Sequence, residues 1–283
     1  MSDLFHQLEE TVTTDVRRAL AEDVGAGDLT AALLPAGKVA RARLITRQDA
    51  VLCGTEWFER TVELMDPEAE VFWHYKDGDE LVAGCNVCEI EGEARALLTA
   101  ERTAINFLQT LSAVATRTRA YVKRVEGTKA RILDTRKTLP GLRIAQKYAV
   151  RAGGGVNHRV GLYDGILIKE NHLAAAGGVT AAVAAALKAA KPGVMVQVEV
   201  ETLEQLREAL AAGATLILLD NFTLPAMREA VAVADGRAEL EASGGVDFAT
   251  VREIAETGVD RISIGSLTKD IQAVDFSLRF LHH

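Results

Sequence analysis

Apolar positions early in the chain repeat at helical spacing. Leu4, Leu8, Val12, Val16 and Leu20 predict a helix over residues 3–22. Strand-like segments follow at 40–46, 71–75 and 86–91, with Gly and Asp at the turns, and a long helical stretch covers 94–124. Strands grouped before a helix suggest an α+β domain. Beyond residue 130 the pattern becomes repetitive. Short apolar runs at 131–134, 165–169, 194–199, 215–220, 239–243 and 261–265 alternate with amphipathic helices. Thr202 opens one helix that stops at Gly213, and Asp247 opens another that stops at Gly258. Repeated βα units with apolar strands imply a parallel sheet, either closed into a barrel or open and doubly wound.

The ends of these runs decide between the two. They stop at Asp134-Thr135-Arg136-Lys137, Lys169-Glu170-Asn171-His172, Glu199, Asp220-Asn221, Ser243-Gly244-Gly245 and Gly265-Ser266. Reactive groups at the C-terminal ends of six consecutive strands are the layout of a barrel active site, whereas a doubly wound sheet gathers them at one switch point. Six strands fall short of eight, so an incomplete barrel is expected. Within 194–201 the valines at 194, 196, 198 and 200 share the face toward the outer helices. Met195, Gln197, Glu199 and Glu201 share the inward face.

Composition narrows the class. With 48% hydrophobic and 25% charged residues the chain is globular rather than disordered. The start carries acids early and lacks a signal-peptide pattern, and the longest uncharged run, 173–187, is too short to span a bilayer. Secretion and membrane insertion are not expected. Three cysteines, Cys53, Cys85 and Cys88, suit a reducing compartment, and the Cys85/Cys88 pair lacks the partners a structural zinc site needs. The net charge of −8 argues against general nucleic-acid binding. Between Arg102 and His172, however, fourteen Arg and Lys residues face only four acids. A solvated helix face accounts for Lys123, Arg124 and Lys129; cations at strand ends point instead to a small anion held in a pocket.

The chemistry of the strand ends follows the same line. Ser243-Gly244-Gly245 and Gly265-Ser266 follow the last two strands, where glycines let backbone N–H groups approach a phosphate. Gly153-Gly154-Gly155 is read as a helix stop and chain reversal rather than ligand contact. Glu199 and Asp220 lie one βα unit apart. They are either ion-pair partners of Lys137 or Lys169 or oxygen ligands for Mg²⁺, directly or through water, and both roles are compatible. Arg102, Arg136 and Arg159 suit bidentate capture of carboxylates, and Lys137 and Lys169 suit phosphates.

At these residues the chain resembles the quinolinate phosphoribosyltransferases, also called nicotinate-nucleotide pyrophosphorylases (carboxylating). The blocks that carry the likeness are Thr135 to Arg143 (TRKTLPGLR), Gly153 to Arg159 (GGGVNHR), Ile168 to His172 (IKENH), Glu22 to Thr30 and Glu101 to Gln109. They run in order through nearly the whole chain. The resemblance implies an N-terminal α/β sandwich domain over 1–112 and an incomplete α/β barrel of about six or seven parallel strands over 113–269. It further implies a C-terminal helix over 270–283 that returns to the first domain. It implies transfer of phosphoribose from phosphoribosyl pyrophosphate to quinolinate, with Mg²⁺, giving nicotinate mononucleotide, pyrophosphate and CO₂ in cytoplasmic NAD synthesis. A homodimer or higher homo-oligomer with shared active sites is also implied.

Carried over residue by residue, Arg102, Arg136, His158, Arg159 and Lys169 surround quinolinate. Lys137, Lys169, Glu199 and Asp220 address the ribose, pyrophosphate and metal, and Ser243, Gly244, Gly245, Gly265 and Ser266 hold the 5′-phosphate. Some relatives carry a His where this chain has Lys269-Asp270, which leaves that turn without an implied phosphate role. The competing readings are a related enzyme using nicotinate or another pyridine-like acceptor, a phosphosugar aldolase with Lys169 as Schiff-base residue, and a non-enzymatic binding protein.

Overall fold

The computed structural model describes residues 8–281, so the expected helix start at Asp3, and His282 and His283, lie outside the described residues. In chain order the elements are α1 (Leu8–Val24), β1 (Val39–Thr46), β2 (Ala50–Val51), α2 (Thr55–Met65), β3 (Glu70–Trp73), β4 (Glu80–Leu81), β5 (Asn86–Glu93), α3 (Ala94–Arg124), β6 (Arg131–Leu133) and α4 (Arg143–Ala152). They continue as β7 (Gly165–Ile168), α5 (Glu170–Ala176), α6 (Val179–Ala189), β8 (Met195–Val200), α7 (Leu203–Ala211), β9 (Leu216–Asp220), α8 (Leu224–Ala234), β10 (Glu239–Ser243), α9 (Val251–Ala255), β11 (Arg261–Ser263), α10 (Ser266–Lys269) and β12 (Phe276–Phe280). The chain forms two compact units. One comprises the chain up to Arg119, Thr138–Gly154 and the chain from Thr268; the other comprises Ala120–Lys137 and Gly155–Leu267.

In the first unit β1 alternates, with Ala42, Leu44 and Thr46 buried and Arg41 and Arg43 on the open face. That is the signature of an antiparallel sheet covered on one side. The strand order is β12-β1-β5-β3, and Leu44, Ile90, Phe58, Leu97, Leu108 and Phe276 share one core. The helix expected over 270–283 is overturned here. Phe276–Phe280 is a strand, antiparallel to β1 with Leu278 opposite Leu44. Phe276, Leu278 and Phe280 repeat every second residue, with Ser277 and Arg279 between them, and all three pack on the sheet core. Five residues with apolar positions at i, i+2 and i+4 also satisfy a helical i, i+4 pair, and the free edge of β1 settles the choice.

The second unit holds a six-stranded parallel sheet in the order β6-β11-β10-β9-β8-β7. From β7 to β11 consecutive strands are neighbours, β11 pairs back onto β6, and the order never reverses, so the sheet winds in one sense and stays open between β6 and β7. Its inner face is curved enough for side chains to meet across non-adjacent strands. Gln197 on β8 donates to Glu241 on β10 at 3.0 Å, and Arg131 on β6 meets Glu239 on β10 at 2.8 Å. Val198, Val200, Ile217, Leu219 and Leu240 point outward onto Leu206, Ala209 and Met227 of the surrounding helices. Thr202 and Thr223 cap α7 and α8 by accepting from the backbone N–H of Gln205 and Ala226. Asp247 accepts from the N–H groups of Ala249 and Thr250, but the helix that follows is only Val251–Ala255, shorter than the sequence suggests.

No single described helix is long and apolar enough to cross a membrane. The helices α5 and α6, which contain the uncharged run, are bent 95° apart.

Candidate active site

Every sequence-predicted site residue except Arg102 lies in the second unit, and all of these but His158 and Arg159 stand at or just beyond the C-terminal ends of the barrel strands. Arg136 and Lys137 follow β6, Lys169 follows β7, Glu199 lies on β8, and Asp220 ends β9. Ser243 ends β10 and leads into Gly244 and Gly245, while Gly265 and Ser266 follow β11. His158 and Arg159 sit on the segment before β7, which the Leu133–Val156 bridge ties to β6. Arg102 lies on α3 in the first unit and is exposed.

Local hydrogen bonds explain the aim of these groups. Lys137 N–H donates to Thr135 Oγ1 at 3.0 Å, and the lysine stem passes over Gly265. A Cβ at position 265 would stand 2.9 Å from Lys137 Cδ, so any larger residue there would displace the lysine stem. Lys169 caps α5. Its N–H donates to His172 Nδ1 at 2.9 Å, while its ammonium reaches Glu199 Oε2 at 3.1 Å. His172 of the IKENH block therefore secures the turn from which Lys169 projects.

Arg159 donates through Nη1 to Gly165 O at 2.9 Å. Burial holds its guanidinium below the ordinary pKa, the neighbouring Arg136 charge adds to that, and Asp164 opposes both. Asp164 also accepts from the N–H groups of Val160 and Gly161, which fixes the loop between Arg159 and β7. A half-buried arginine near a second arginine is an anion-seeking arrangement.

Asn221, which the sequence marks only as a strand end, binds the Asp220 turn to the glycine loop. It adopts φ 54°, in the left-handed region. Its N–H donates to Ser243 O at 3.0 Å and its side-chain amide to Asp220 Oδ2 at 3.0 Å. Gly244, itself at φ +92°, lies so close that an added Cβ would be 2.2 Å from Asn221 Oδ1. The glycine is thus required twice, by conformation and by space.

Further residues of the barrel interior support the site without reaching its surface. Asp134, fully buried, accepts from His158 N–H at 2.8 Å and from Asn157 Nδ2 at 2.6 Å. Gln197 contacts His158, and Glu241 pairs with Arg261. Strand alternation aims Gln197 inward, but nothing in the sequence pairs it with residue 241.

Among the described residues no cluster of three or more His, Cys, Asp or Glu side chains forms a metal cage. The carboxylates that could hold a Mg²⁺ ion are Glu199 and Asp220, at the ends of adjacent strands, and such a site would need further oxygen ligands from phosphates or water. Cys88 packs in the sheet core, where burial raises its thiol pKa, and Cys85 packs partly buried against the same core. Gly153 and Gly154 do end α4. A Cβ on Gly153 would strike Ala115 O at 2.5 Å, and Gly154 takes φ +91°. Lys269 pairs with its neighbour Asp270 at 2.8 Å.

A one-way parallel barrel with lysines, arginines, two carboxylates and glycine turns at its C-terminal strand ends defines an enzyme-type fold for multiply anionic substrates. Comparison with known proteins gives the family. The N-terminal domain model of quinolinate phosphoribosyl transferase matches residues 28–112 and the C-terminal domain model matches 114–279. The nicotinate-nucleotide pyrophosphorylase (carboxylating) of Mycobacterium leprae is 45% identical over 270 residues, covering 93% of this chain and 95% of that one. The probable enzyme of the same name from Bacillus subtilis is 42% identical over 257 residues, covering 91% and 89%. The solved nicotinate-nucleotide pyrophosphorylase of Francisella tularensis superposes with a TM-score of 0.94 at 45% identity, covering 96% and 97%. The chain belongs to the quinolinate phosphoribosyltransferase family.

Proposed function

We propose that this enzyme joins quinolinate to phosphoribosyl pyrophosphate and releases pyrophosphate and CO₂, forming nicotinate mononucleotide for NAD synthesis. The carrying observation is that Arg159 feels the charge of Arg136, in a unit whose strand ends also carry the Lys169–Glu199 pair. Quinolinate bears two adjacent carboxylates, and two guanidiniums answer them where one would serve a monocarboxylate. Lys137 over Gly265 and the Ser243–Gly245 turn take the phosphates. Mg²⁺, held by Glu199 and Asp220, would neutralise charge on the departing pyrophosphate.

The ring nitrogen bonds to C1 of the ribose as the C1–O bond to pyrophosphate breaks. The carboxylate beside the now positive nitrogen leaves as CO₂, its bonding pair stays on the ring carbon, and a proton replaces it. Arg136 and Arg159 keep the retained carboxylate in place, and Glu199 and Asp220 stabilise the cationic ribose. An aldolase role for Lys169 is disfavoured by its ion pair and half-exposed side chain, since a Schiff-base lysine requires a desolvated site. Free cysteines, two of them buried, support a cytoplasmic setting. With phosphoribosyl pyrophosphate and Mg²⁺ supplied, quinolinate should be consumed with equimolar CO₂ while nicotinate turns over poorly; equal turnover of nicotinate refutes the assignment.

The enzyme works as a homodimer in which Arg102 serves the neighbouring subunit's barrel. Arg102 is the one proposed ligand outside the barrel unit. Arg102→Ala and Lys169→Ala homodimers should each be nearly inactive. Co-refolding equal amounts should restore about a quarter of wild-type sites by random pairing. Activity at background, with mixed dimers verified by mass, would place Arg102 in its own chain's site.

A further inference from the structure

We infer that Gln197, backed by the Glu241–Arg261 pair, is a positioning residue that holds His158 as the neutral imidazole protonated on Nε2. In that state Nδ1 accepts the Arg159 N–H and fixes the root of the substrate-facing arginine.

The chain of contacts begins at a buried charge. Arg261 Nε lies 3.1 Å from Glu241 Oε2, and the glutamate is wholly buried. Paired with a guanidinium, the carboxylate only accepts hydrogen bonds. Gln197, also wholly buried, must therefore turn its Nε2 to Glu241 Oε2, 3.0 Å away; the flipped amide would set two acceptors face to face. Its Oε1 then faces His158 Nε2 at 2.8 Å, which requires the proton on that nitrogen. The second oxygen of Glu241, without a hydrogen bond of its own, lies 3.7 Å from the same Nε2 and favours the proton there too.

On the other side of the ring, Arg159 N–H donates to His158 Nδ1 at 2.8 Å, so Nδ1 carries none. Asp134 holds the His158 backbone N–H and completes the frame. Both ring nitrogens are engaged by the protein, so His158 acts on the substrate through Arg159 rather than as a proton donor to it.

The test begins with ligand-free wild-type protein labelled with ¹⁵N-histidine, His158 being assigned by its loss in a His158 variant. A two-bond ¹H–¹⁵N correlation at neutral pH should show a pyrrole-type Nε2 and a pyridine-type Nδ1. An Nδ1–H ring or an imidazolium overturns the proposal. Gln197→Met, which keeps volume but removes the acceptor, should convert that signal to a tautomer mixture. It should also raise the KM for quinolinate about tenfold, with the KM for phosphoribosyl pyrophosphate unchanged; an unaltered tautomer overturns the role of Gln197. His158→Asn puts an amide oxygen at the Nδ1 position and His158→Gln puts the amide near Nε2. The Gln variant should therefore bind quinolinate roughly tenfold more weakly than the Asn variant, and the reverse order overturns the proposal. The affinity arms rest on the proposed activity, whereas the tautomer arm needs no ligand. A correct tautomer with no quinolinate turnover would refute the activity and leave this inference standing.

Discussion

The barrel's interior and its mouth treat charge in opposite ways. Inside, Glu241 meets Arg261 at 3.1 Å and the Gln197 amide at 3.0 Å, so a buried charge faces its opposite. At the mouth, Arg159 is half-buried near Arg136, a like charge, and its guanidinium is held below the usual range. An interior pair fixes geometry, whereas like charges gathered at an opening suit the multiply anionic substrate proposed above. The same residue type thus serves frame or site according to what it faces.

Removing one arginine from each region gives the largest expected contrast. Arg261→Met leaves Glu241 buried without its cation and should cost about 3–5 kcal/mol, read from the urea midpoint at unchanged slope. Arg159→Met keeps the stem and removes a charge that burial and Arg136 disfavour. Its midpoint should equal or exceed the wild type, while kcat/KM for quinolinate falls about a hundredfold. If Arg159→Met destabilises as much as Arg261→Met, the division between frame and site fails.

The sequence makes the mouth far more legible than the interior. Strand ends announce themselves as a polar or glycine residue after an apolar run, and all six runs are strands of one parallel sheet. Alternation even aims Gln197 inward. Its bond to Glu241 spans two non-adjacent strands, though, and depends on sheet curvature that no local pattern encodes. Asn221 is hidden for another reason: its left-handed φ and its contact with Gly244 exist only once two turns meet. The C-terminal strand needs the edge of β1, more than two hundred residues earlier, to declare itself. The short strands β2 and β4, two residues each, carry no periodicity at all.

The Asn221–Gly244 contact sharpens the comparison at intermediate size, because it shows how rigid the mouth is. Gly244→Ala meets Asn221 Oδ1 and adopts a disfavoured φ, together costing about 1–3 kcal/mol. It should also raise the KM for phosphoribosyl pyrophosphate. Asn221→Gly, which frees that space, should recover part of the stability loss when combined with Gly244→Ala. Purely additive effects in the double variant would mean that the two turns are not coupled.

The smallest expected effect comes from a buried carboxylate in the other unit whose partners are weaker than those of Glu241. Asp15 on α1 accepts from Trp57 Nε1 at 3.2 Å and meets Arg18, whose side chain is 58% exposed, at 3.4 Å. Burial raises its pKa above the ordinary 3.8, and the Trp57 hydrogen bond and Arg18 only partly offset that. A carboxyl raised in the folded state binds its proton more tightly there than in the unfolded chain. Its stabilising contribution is therefore complete below the unfolded pKa and is lost as pH rises through the folded value. At neutral pH the ionised Asp15 is a burden that Glu241, matched by Arg261, avoids. Asp15→Asn keeps an acceptor for Trp57 and removes the charge, so at pH 7 the melting temperature should rise by about 1–2 °C. The gain should shrink as pH falls through the raised pKa and vanish below the ordinary carboxylate value, where Asp15 is neutral in the folded and the unfolded chain alike. Melting curves of the two proteins across that acid range measure it. A gain that persists undiminished in acid would mean that the effect arises from packing rather than charge, and Asp15 would cease to be a contrast to the paired interior of the barrel.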